Sequence, residues 1–480
     1  MISTLPRLSC LAAVLRAYGI VKKLFFLLAF LTVGTGLTAQ ADDAFVVRDV
    51  YRYALTEGEC YDWLRHLCKD VGPRLAGSPG ADAAVASMRR LMDTLGFDTV
   101  YLQPCVVPRW DRGAPATGRI VNNATVGTQE LNVIALGNTV GTGPAGVTAP
   151  VVEVKSLEEV ETLGRAGVAG KIVFFNRPMD PARVKTFRAY GGAVDQRVNG
   201  HLVAARYGAV AALVRSMTNG LDDVPHTGTA AVDPAVPAIP ALAVSTNDAE
   251  RIARLLGRGE VRLHLTAHGR NLPPVPSYNV IGEVRGADFP DEIVLVGGHL
   301  DSWDVGEGAH DDGAGIVHAL QVLPLWRKIG HRPRRTFRCV LFMNEENGLA
   351  GARAYWAVSD AAGEFHLAAL ESDAGGFTPR GFSMQGREDV FTADYRRVND
   401  WLPLLEPYGL QFETGGSGAD ISGLKGQGGL LIGFRPDSQR YFDFHHTAND
   451  VFENVNKREL ELGAAAITSL LYLIDQHGLR

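Results

Sequence analysis

Acidic and histidine side chains gather in five short stretches of the C-terminal half of the chain. The stretches are GHLDS at 298–302, HDDG at 310–313, NEEN at 344–347, ESDA at 371–374 and FHHT at 444–447. Each stretch alone has an ordinary explanation; Asp312, for example, could simply cap a helix that follows it. Together they need another explanation, because gathering several carboxylates in one crevice is costly unless a cation neutralises them. The five stretches therefore predict a metal centre.

The types of side chain narrow the choice of metal. Imidazole and carboxylate ligands without thiolate suit zinc, or cobalt or manganese in a similar geometry. No two cysteines of the chain form a C-x-x-C pair, so a thiolate site is not expected. Two histidines and several acids exceed what one tetrahedral zinc needs, whereas two ions that share a carboxylate would use them. Such metal pairs clamp the attacking and leaving oxygens of a displacement reaction.

These side chains need a scaffold that brings them to one place. Apolar runs that predict strands lie at 293–297, 337–342, 367–371 and 429–434, and helical patterns lie at 313–328, 349–358 and 457–477. Apolar strands that alternate with helices indicate a largely parallel α/β sheet covered on both faces. Ligands of such sheets bind beyond the carboxyl ends of the strands. Because most of the acidic stretches follow predicted strands, we expect them to meet at that edge.

With these stretches in place, the chain resembles the co-catalytic zinc aminopeptidase family, and within that family the carboxypeptidase Q group in particular. The resemblance rests on GHLDSWDVG at 298–306, FHH at 444–446 and PHTG at 225–228, and it covers nearly all of the chain after residue 41. It implies an α/β fold with a mostly parallel twisted sheet flanked by helices, and with an inserted protease-associated domain.

The resemblance also implies a role for each residue of the centre. Five side chains would hold two zinc ions: His299 and Asp373 on one, Glu346 and His446 on the other, and Asp311 on both. Glu345 would be the general base, and Asp301 would hydrogen-bond the ring of His299 and fix its tautomer. His446 is preferred to His445 because the family's histidine is followed by Ser or Thr, which is Thr447 here.

The implied activity is that of an exopeptidase that hydrolyses dipeptides or short peptides with zinc-activated water. Aminopeptidase or dipeptidase activity is favoured, and carboxypeptidase activity stays open. The segment GGSGAD at 415–420 falls where the family places a substrate-facing loop. The chain departs from the family pattern just downstream, at 423–426, so the preferred substrate side chain stays open as well.

Two other functions share this fold. Glutaminyl cyclase relatives use a single zinc, and the presence of both His299 and Asp373 argues for a second ion and against cyclisation. A binding protein that inherited the fold would be expected to have lost ligands, whereas every ligand position and the base are present here. The number of zinc ions per chain would separate the peptidase, with two, from the cyclase, with one.

The length of 480 residues indicates two or three domains. Residues 116–270 are rich in Gly, Ala and Val, lack a convincing catalytic cluster, and are predicted to form the inserted protease-associated domain. A Pro-rich segment at 272–276 is interpreted as the linker that follows. Residues 42–115 and 271–480 would together form the zinc peptidase domain.

Residues 1–41 have the features of an export signal. Lys22 and Lys23 precede an apolar run at 24–31, and Ala39-Gln40-Ala41 offers a cleavage site of small residues. Because the apolar run is too short to span a bilayer comfortably, we expect cleavage after Ala41, no stable membrane insertion afterwards, and a secreted or periplasmic protein. The net charge of −6 and the lack of a basic block argue against a nucleic-acid partner. The family resemblance implies a homodimer.

Overall fold

Two eight-stranded sheets, each with helices packed on it, form the frame of the molecule. The computed structural model describes residues 42–480, and the predicted export signal at 1–41 lies outside the described residues. The strands are β1 (Thr99–Asp111), β2 (Thr117–Asn123), β3 (Gly127–Leu131), β4 (Val133–Ala135), β5 (Val147–Val154), β6 (Ile172–Phe175), β7 (Ala211–Arg215), β8 (Ala241–Val244), β9 (Arg262–Thr266), β10 (Arg270–Val284), β11 (Phe289–His299), β12 (Arg335–Phe342), β13 (Phe365–Glu371), β14 (Pro379–Gln385), β15 (Gln411–Thr414) and β16 (Leu430–Pro436). The α-helices are α1 (42–57), α2 (Cys60–His66), α3 (Pro79–Thr94), α4 (Leu157–Val168), α5 (Thr186–Gly191), α6 (Asp195–Val198), α7 (Gly200–Arg206), α8 (Thr246–Leu256), α9 (Ala314–Lys328), α10 (Ala350–Ala362), α11 (Glu388–Asn399), α12 (Leu402–Leu405) and α13 (Lys457–His477).

The first sheet carries the predicted metal ligands, and its central strands are buried on both faces. Its order is β1-β10-β12-β11-β13-β16-β14-β15. Every residue of β12 is buried, and β11 is buried from Ile293 to His299. Helices α9 and α13 cover one face, and α10 covers the other. This cover explains why these strands are almost purely apolar in sequence.

The sheet is parallel across its four central strands, and the edge pair of β14 and β15 is parallel as well. The strands β12, β11, β13 and β16 run parallel to one another, so their carboxyl ends share one edge. Outside them, β10 pairs antiparallel with both β12 and β1, and β14 pairs antiparallel with β16. The observed fold is therefore a mixed α/β sheet, in which four of the seven strand pairings are parallel and three are antiparallel. An apolar run in a sequence does not specify strand direction, which is why the antiparallel edges were not predicted.

The Pro-rich segment 272–276 is not a linker, because it lies inside β10. Only residues 280–284 of β10 pair with β12, so the proline-containing part pairs with β1 alone. Proline cannot donate a backbone hydrogen bond, but it is tolerated in a strand whose other edge is free. A register shift between Val107 and Arg109 of β1 lies opposite the two consecutive prolines.

The second sheet is built from residues between β1 and β10. Its order is β3-β2-β9-β5-β6-β7-β8-β4. Asp111, at the end of β1, pairs with Arg270, at the start of β10, so the chain leaves the first sheet and returns to it at neighbouring positions. Side chains of α4 and α7 pack on one face of this sheet, and those of α8 pack on the other.

Aromatic side chains of the C-terminal half join the two sheets. Phe377, Tyr441, Phe442 and Phe444 are buried in the same apolar cluster as one face of the second sheet. The second sheet is thereby held close to the turn that carries His445 and His446. Within residues 42–480, none of the helices combines the length and the apolar character that crossing a bilayer requires.

Candidate metal centre

The five predicted ligands lie at the carboxyl-terminal edge of the first sheet or in turns beside it. His299 is the last residue of β11, and Asp373 lies two residues beyond the end of β13. Asp311 lies in the turn Ala309–Gly313 that precedes α9. Glu346 follows β12, and His446 follows a short 3-10 turn in the segment between β16 and α13. The parallel register of the central strands is what brings these distant positions together.

The distances place Asp311 between two groups of side chains. The Nε2 atom of His299 lies 3.3 Å from Asp311 Oδ1 and 3.7 Å from Asp373 Oδ1. The Nε2 atom of His446 lies 3.3 Å from Asp311 Oδ2 and 3.1 Å from Glu346 Oε2. Each carboxylate oxygen of Asp311 therefore faces a different histidine, and each histidine faces a further acid.

These side chains suit a pair of divalent cations. One ligand atom each from His299, Asp311 and Asp373 can be chosen so that all three lie within 4.8 Å of one another. His299 Nε2 and Asp311 Oδ2 are buried and make no hydrogen bond of good geometry within the described residues. Buried polar atoms without partners are rare in folded proteins unless a ligand or an ion completes them. The donor set of imidazole nitrogens and carboxylate oxygens is the one that zinc, cobalt and manganese accept.

The titration behaviour shows how much negative charge is crowded here. Burial raises the pKa of Glu345 well above its ordinary value, and the carboxylates of Asp373 and Glu346 add to this effect against the opposing influence of His299. Burial disfavours the protonated form of His299, yet its contacts with Asp311 and Asp373 outweigh burial and raise its pKa well above the ordinary value. The cluster therefore attracts positive charge, which protons or metal ions can supply.

Asp301 supports the centre in a different way from the one predicted. The Nδ1 atom of His299 lies 3.0 Å from the main-chain oxygen of Asp301, not from its carboxylate, whose nearer oxygen is 3.9 Å away. The carboxylate instead accepts hydrogen bonds from the main-chain N–H groups of Asn344, at 2.7 Å, and Glu345, at 3.0 Å. It thus holds the turn that presents Glu345 and Glu346.

His446 lies closer to the carboxylates than its neighbour does, although one ligand atom each from Asp311, His445 and His446 can also be chosen within 4.8 Å of one another. His446 Nε2 approaches two carboxylates, as described above, whereas His445 Nε2 comes no nearer than 3.9 Å to Asp311 Oδ2. The two imidazole rings are stacked with their centroids 3.5 Å apart. His445 therefore packs against the ring of His446.

Two further aspartates fix the backbone around the centre. Asp450 accepts hydrogen bonds from the main-chain N–H groups of His310 and Asp311, at 2.7 and 3.1 Å. Asp312 accepts one from His299 N–H at 3.0 Å and one from Gly315 N–H at 3.1 Å, so it ties the end of β11 to the start of α9. From the sequence Asp312 could be predicted only as a helix cap. Its contact with His299 depends on the position of β11, which is distant from a cap in the sequence pattern.

The segment between β1 and β10 also reaches the centre through a helix and a loop, which was not predicted from the sequence. Arg197 Nη1 lies 3.4 Å from His446 Nδ1, and the Thr227 N–H donates to the main-chain oxygen of His446 at 3.0 Å. Residues 116–270 were predicted to carry no catalytic cluster. The segment PHTG at 225–228 was the one sequence signal that pointed here, whereas nothing in the sequence around Arg197 indicates its position.

The known proteins that this chain resembles in sequence are peptidases. The profile of peptidase family M28 matches residues 279–471. Carboxypeptidase Q of Bos taurus is 32% identical over 426 residues, which span 88% of this chain and 86% of that relative. Carboxypeptidase Q of Homo sapiens is 32% identical over 425 residues, which span 88% of this chain and 86% of that relative.

Solved structures share the architecture. The crystal structure of a peptidase M28 precursor from Shewanella amazonensis SB2B superposes with a TM-score of 0.85 at 33% identity, and the match covers 91% of this chain and 97% of that one. A zinc aminopeptidase from Bacillus subtilis matches with a TM-score of 0.61 at 19% identity, covering 86% of this chain and 94% of that one, a likeness of fold alone.

Proposed function

The chain belongs to peptidase family M28 and is a metallopeptidase, and from this premise we propose that it is a dinuclear zinc exopeptidase of dipeptides or short peptides. In this proposal five side chains hold two zinc ions: His299 and Asp373 on one, Glu346 and His446 on the other, and Asp311 on both. The observation that carries it is the position of the Asp311 carboxylate, which presents one oxygen to each of the two histidines at 3.3 Å.

The side chains of the centre have different roles in the proposed hydrolysis. Zinc ions bound here would lower the pKa of a water molecule and polarise the carbonyl group of the scissile bond. Glu345 then takes a proton from the water and delivers it to the leaving amine. Burial raises the pKa of Glu345, and a raised pKa makes a carboxylate a stronger proton acceptor. Asp301 holds Glu345 in place through the main-chain N–H at 3.0 Å.

We infer a role and boundaries for the other parts of the chain. The second sheet, with the residues between β1 and β10, is assigned to a protease-associated domain inserted at about 116–270, and residues 42–115 and 271–480 to the peptidase domain. Residues 1–41 are assigned to an export signal, so that the enzyme is secreted or periplasmic. The mature enzyme is proposed to act as a homodimer without a nucleic-acid partner.

A panel of dipeptides tests this function. Free, N-blocked and C-blocked forms of one dipeptide are assayed with and without a metal chelator. The proposal predicts cleavage of the free dipeptide, loss of cleavage with the chelator, recovery on addition of zinc, and loss of cleavage when the amine is blocked. Cleavage that persists after metal removal, or that occurs only within longer peptides away from their ends, would refute it.

A carboxypeptidase is the second candidate, and the name of the curated relatives favours it. The same panel separates the two activities. A carboxypeptidase would cleave the N-blocked dipeptide and lose activity only when the carboxyl group is blocked.

A further inference from the structure

A groove of about 620 Å³ opens beside the candidate metal centre. Asp373 lies in its wall, so the groove begins at one of the predicted ligands. The strands β14 and β15 form one side of it, and residues 184–188 of the inserted segment form the other. Phe187, Phe382 and Phe412 give it apolar surface. A groove of this size and position can hold the part of a short peptide next to the scissile bond.

Most of the charged side chains in the groove wall neutralise one another. Lys185, from the inserted segment, forms an ion pair with Glu413 of β15. Arg380 of β14 forms an ion pair with Asp437 at 2.8 Å. These pairs leave little net charge for a substrate to meet along these parts of the wall.

Two arginines of the groove wall are exceptions, because neither has a carboxylate within ion-pair distance among residues 42–480. Arg188 is exposed, whereas Arg435 is half-buried. Within the part of the chain that the structure describes, Arg435 donates to two main-chain oxygens, that of Phe434 at 3.2 Å and that of Gly416. Since a guanidinium has five N–H donors, most of them have no partner in the described protein. Burial lowers the pKa of Arg435, with the nearby carboxylates of Asp373, Glu371 and Glu413 opposing this effect.

The strand register places this cation beside the metal centre. In the parallel pair of β13 and β16, Glu371 lies opposite Gly433. Asp373, a predicted ligand, lies two residues beyond Glu371, after the end of β13, and Arg435 lies two residues beyond Gly433 within β16. Both side chains line the same groove, so a peptide bound in the groove at the centre passes close to Arg435.

We propose that Arg435 binds a carboxylate of the substrate, namely the α-carboxylate of the residue that follows the scissile bond. This inference rests on the proposed peptidase function and names the side chain that would select substrates with a free carboxyl group one residue after the cleaved bond. A planar guanidinium binds a carboxylate through two parallel hydrogen bonds, and partial burial strengthens that pairing. A substrate with an amide at this position would leave the cation without a counter-charge.

The test compares a dipeptide with its C-terminal amide. The specificity constant kcat/KM is measured for Ala-Leu and Ala-Leu amide with the wild type, Arg435→Met, Arg435→Lys and Arg188→Met. We expect the wild type to prefer the free acid, and Arg435→Met to reduce the acid-to-amide ratio by about 10- to 100-fold, as for loss of a hydrogen-bonded charge. Arg435→Lys should keep part of the preference. Arg188→Met removes the exposed cation of the same groove, and should leave the ratio close to that of the wild type.

Two more substrates identify the source of the carboxylate, because an acidic side chain offers the same chemistry. Ala-Asp amide and Asp-Ala amide are compared with Ala-Leu amide. If the free acid is the preferred substrate and Arg435→Met removes that preference, the source is the α-carboxylate, as proposed. If an acidic amide is preferred instead and Arg435→Met removes that preference, the source is a side chain, which overturns the assignment to the α-carboxylate. An acid-to-amide ratio that Arg435→Met does not change would also overturn the proposal. An equal loss on all substrates would do the same, since it would mean that Arg435 only supports the loop at Gly416.

A binding measurement separates this inference from the proposed function. Calorimetry with the full-length Glu345→Ala protein measures the affinity for Ala-Leu and for its amide. Tighter binding of the acid, lost in the Glu345→Ala/Arg435→Met double variant, supports the role of Arg435. Equal affinity for acid and amide contradicts it. A wild type that cleaves none of the peptides would refute the peptidase function, and the calorimetric result would still decide on Arg435.

Discussion

At the scale of single residues, Asp311 connects the two halves of the candidate centre. Its two carboxylate oxygens each lie 3.3 Å from a histidine Nε2 atom, one from β11 and one from the segment between β16 and α13. The main-chain N–H of Asp311 donates to the Asp450 carboxylate at 3.1 Å, so the backbone that carries the Asp311 side chain is fixed. A carboxylate in this position can serve two cations at once, which one histidine or one acid elsewhere in the site cannot do.

Glu345 is predicted to carry the proton of the reaction. Replacing it by alanine removes the base but none of the proposed ligands, so Glu345→Ala should keep its zinc and lose about 10²- to 10⁴-fold in kcat. Metal content by mass spectrometry and turnover of a free dipeptide measure the two effects. Glu388→Ala, on the exposed start of α11, is the matched control and should retain its turnover. A Glu345→Ala enzyme with near wild-type turnover would exclude this role.

The adjacent histidines offer a paired test of the ligand set. His446 Nε2 lies 3.1 Å from Glu346 Oε2, whereas His445 Nε2 lies 3.9 Å from Asp311 Oδ2 and meets no other carboxylate as closely. We expect His446→Ala to lose about one zinc per chain and His445→Ala to retain both. Metal analysis after dialysis is the measurement. Equal zinc loss in the two variants would contradict the assignment.

The proposed ligands and the proposed base could be predicted from the sequence because their residue types and the short motifs around them are distinctive. Arg197 and Arg435 could not be placed from the sequence. An isolated arginine has no sequence signature, and the role of each arises from the packing of one layer on another or from the register of two strands. His299 contacts the main-chain oxygen of Asp301 rather than its carboxylate. This contact could not be predicted either, because it depends on the direction of the backbone and not on the type of residue.

At the scale of elements, the central strands were the most predictable part of the fold. The apolar run predicted at 337–342 lies in β12 (Arg335–Phe342), and the helix predicted at 457–477 is α13. The start of α13 has a physical signal, since Asn456 accepts hydrogen bonds from the N–H groups of Arg458 and Glu459. The strand β10 escaped prediction because its prolines are typical of a linker.

The strand β13 carries a buried histidine that makes stability depend on pH. The ring of His366 lies between the Tyr355 hydroxyl, at 2.7 Å, and Gln427 Oε1, at 2.8 Å. Burial lowers its pKa to about 4, with the contact to Gln427 opposing this effect. Between about pH 6.5 and pH 4, the unfolded chain therefore binds a proton at this position that the folded chain does not.

The sign of the effect follows from that difference. As pH falls from 6.5 towards 4, the free energy of unfolding should decrease by up to about 1.4 kcal/mol per pH unit from this group. His366→Gln should remove this part of the slope, as measured by chemical denaturation from pH 6.5 to 4.5. His268→Gln, at an exposed histidine, is the control and should keep the slope of the parent protein. A His366→Gln slope equal to that of the parent would show that the group does not contribute.

At the scale of the whole molecule, the inserted segment completes the site. Arg197 and Thr227 contact His446, and Lys185 pairs with Glu413 across the groove. The sequence indicated that residues 116–270 differ in composition from the rest of the chain, because they are rich in Gly, Ala and Val. It did not indicate where they dock, because that depends on the aromatic cluster that includes Phe377, Phe442 and other side chains of the C-terminal half.

The central claim is that Asp311 is shared by two zinc ions, and anomalous X-ray diffraction from zinc-loaded crystals tests it most directly. Maps calculated from data on either side of the zinc absorption edge locate zinc independently of any assumed ligands. We predict two peaks, about 3.5–4 Å apart, one on the His299 side and one on the His446 side of the Asp311 carboxylate. A single peak, or two peaks of which neither lies beside Asp311, would contradict the account.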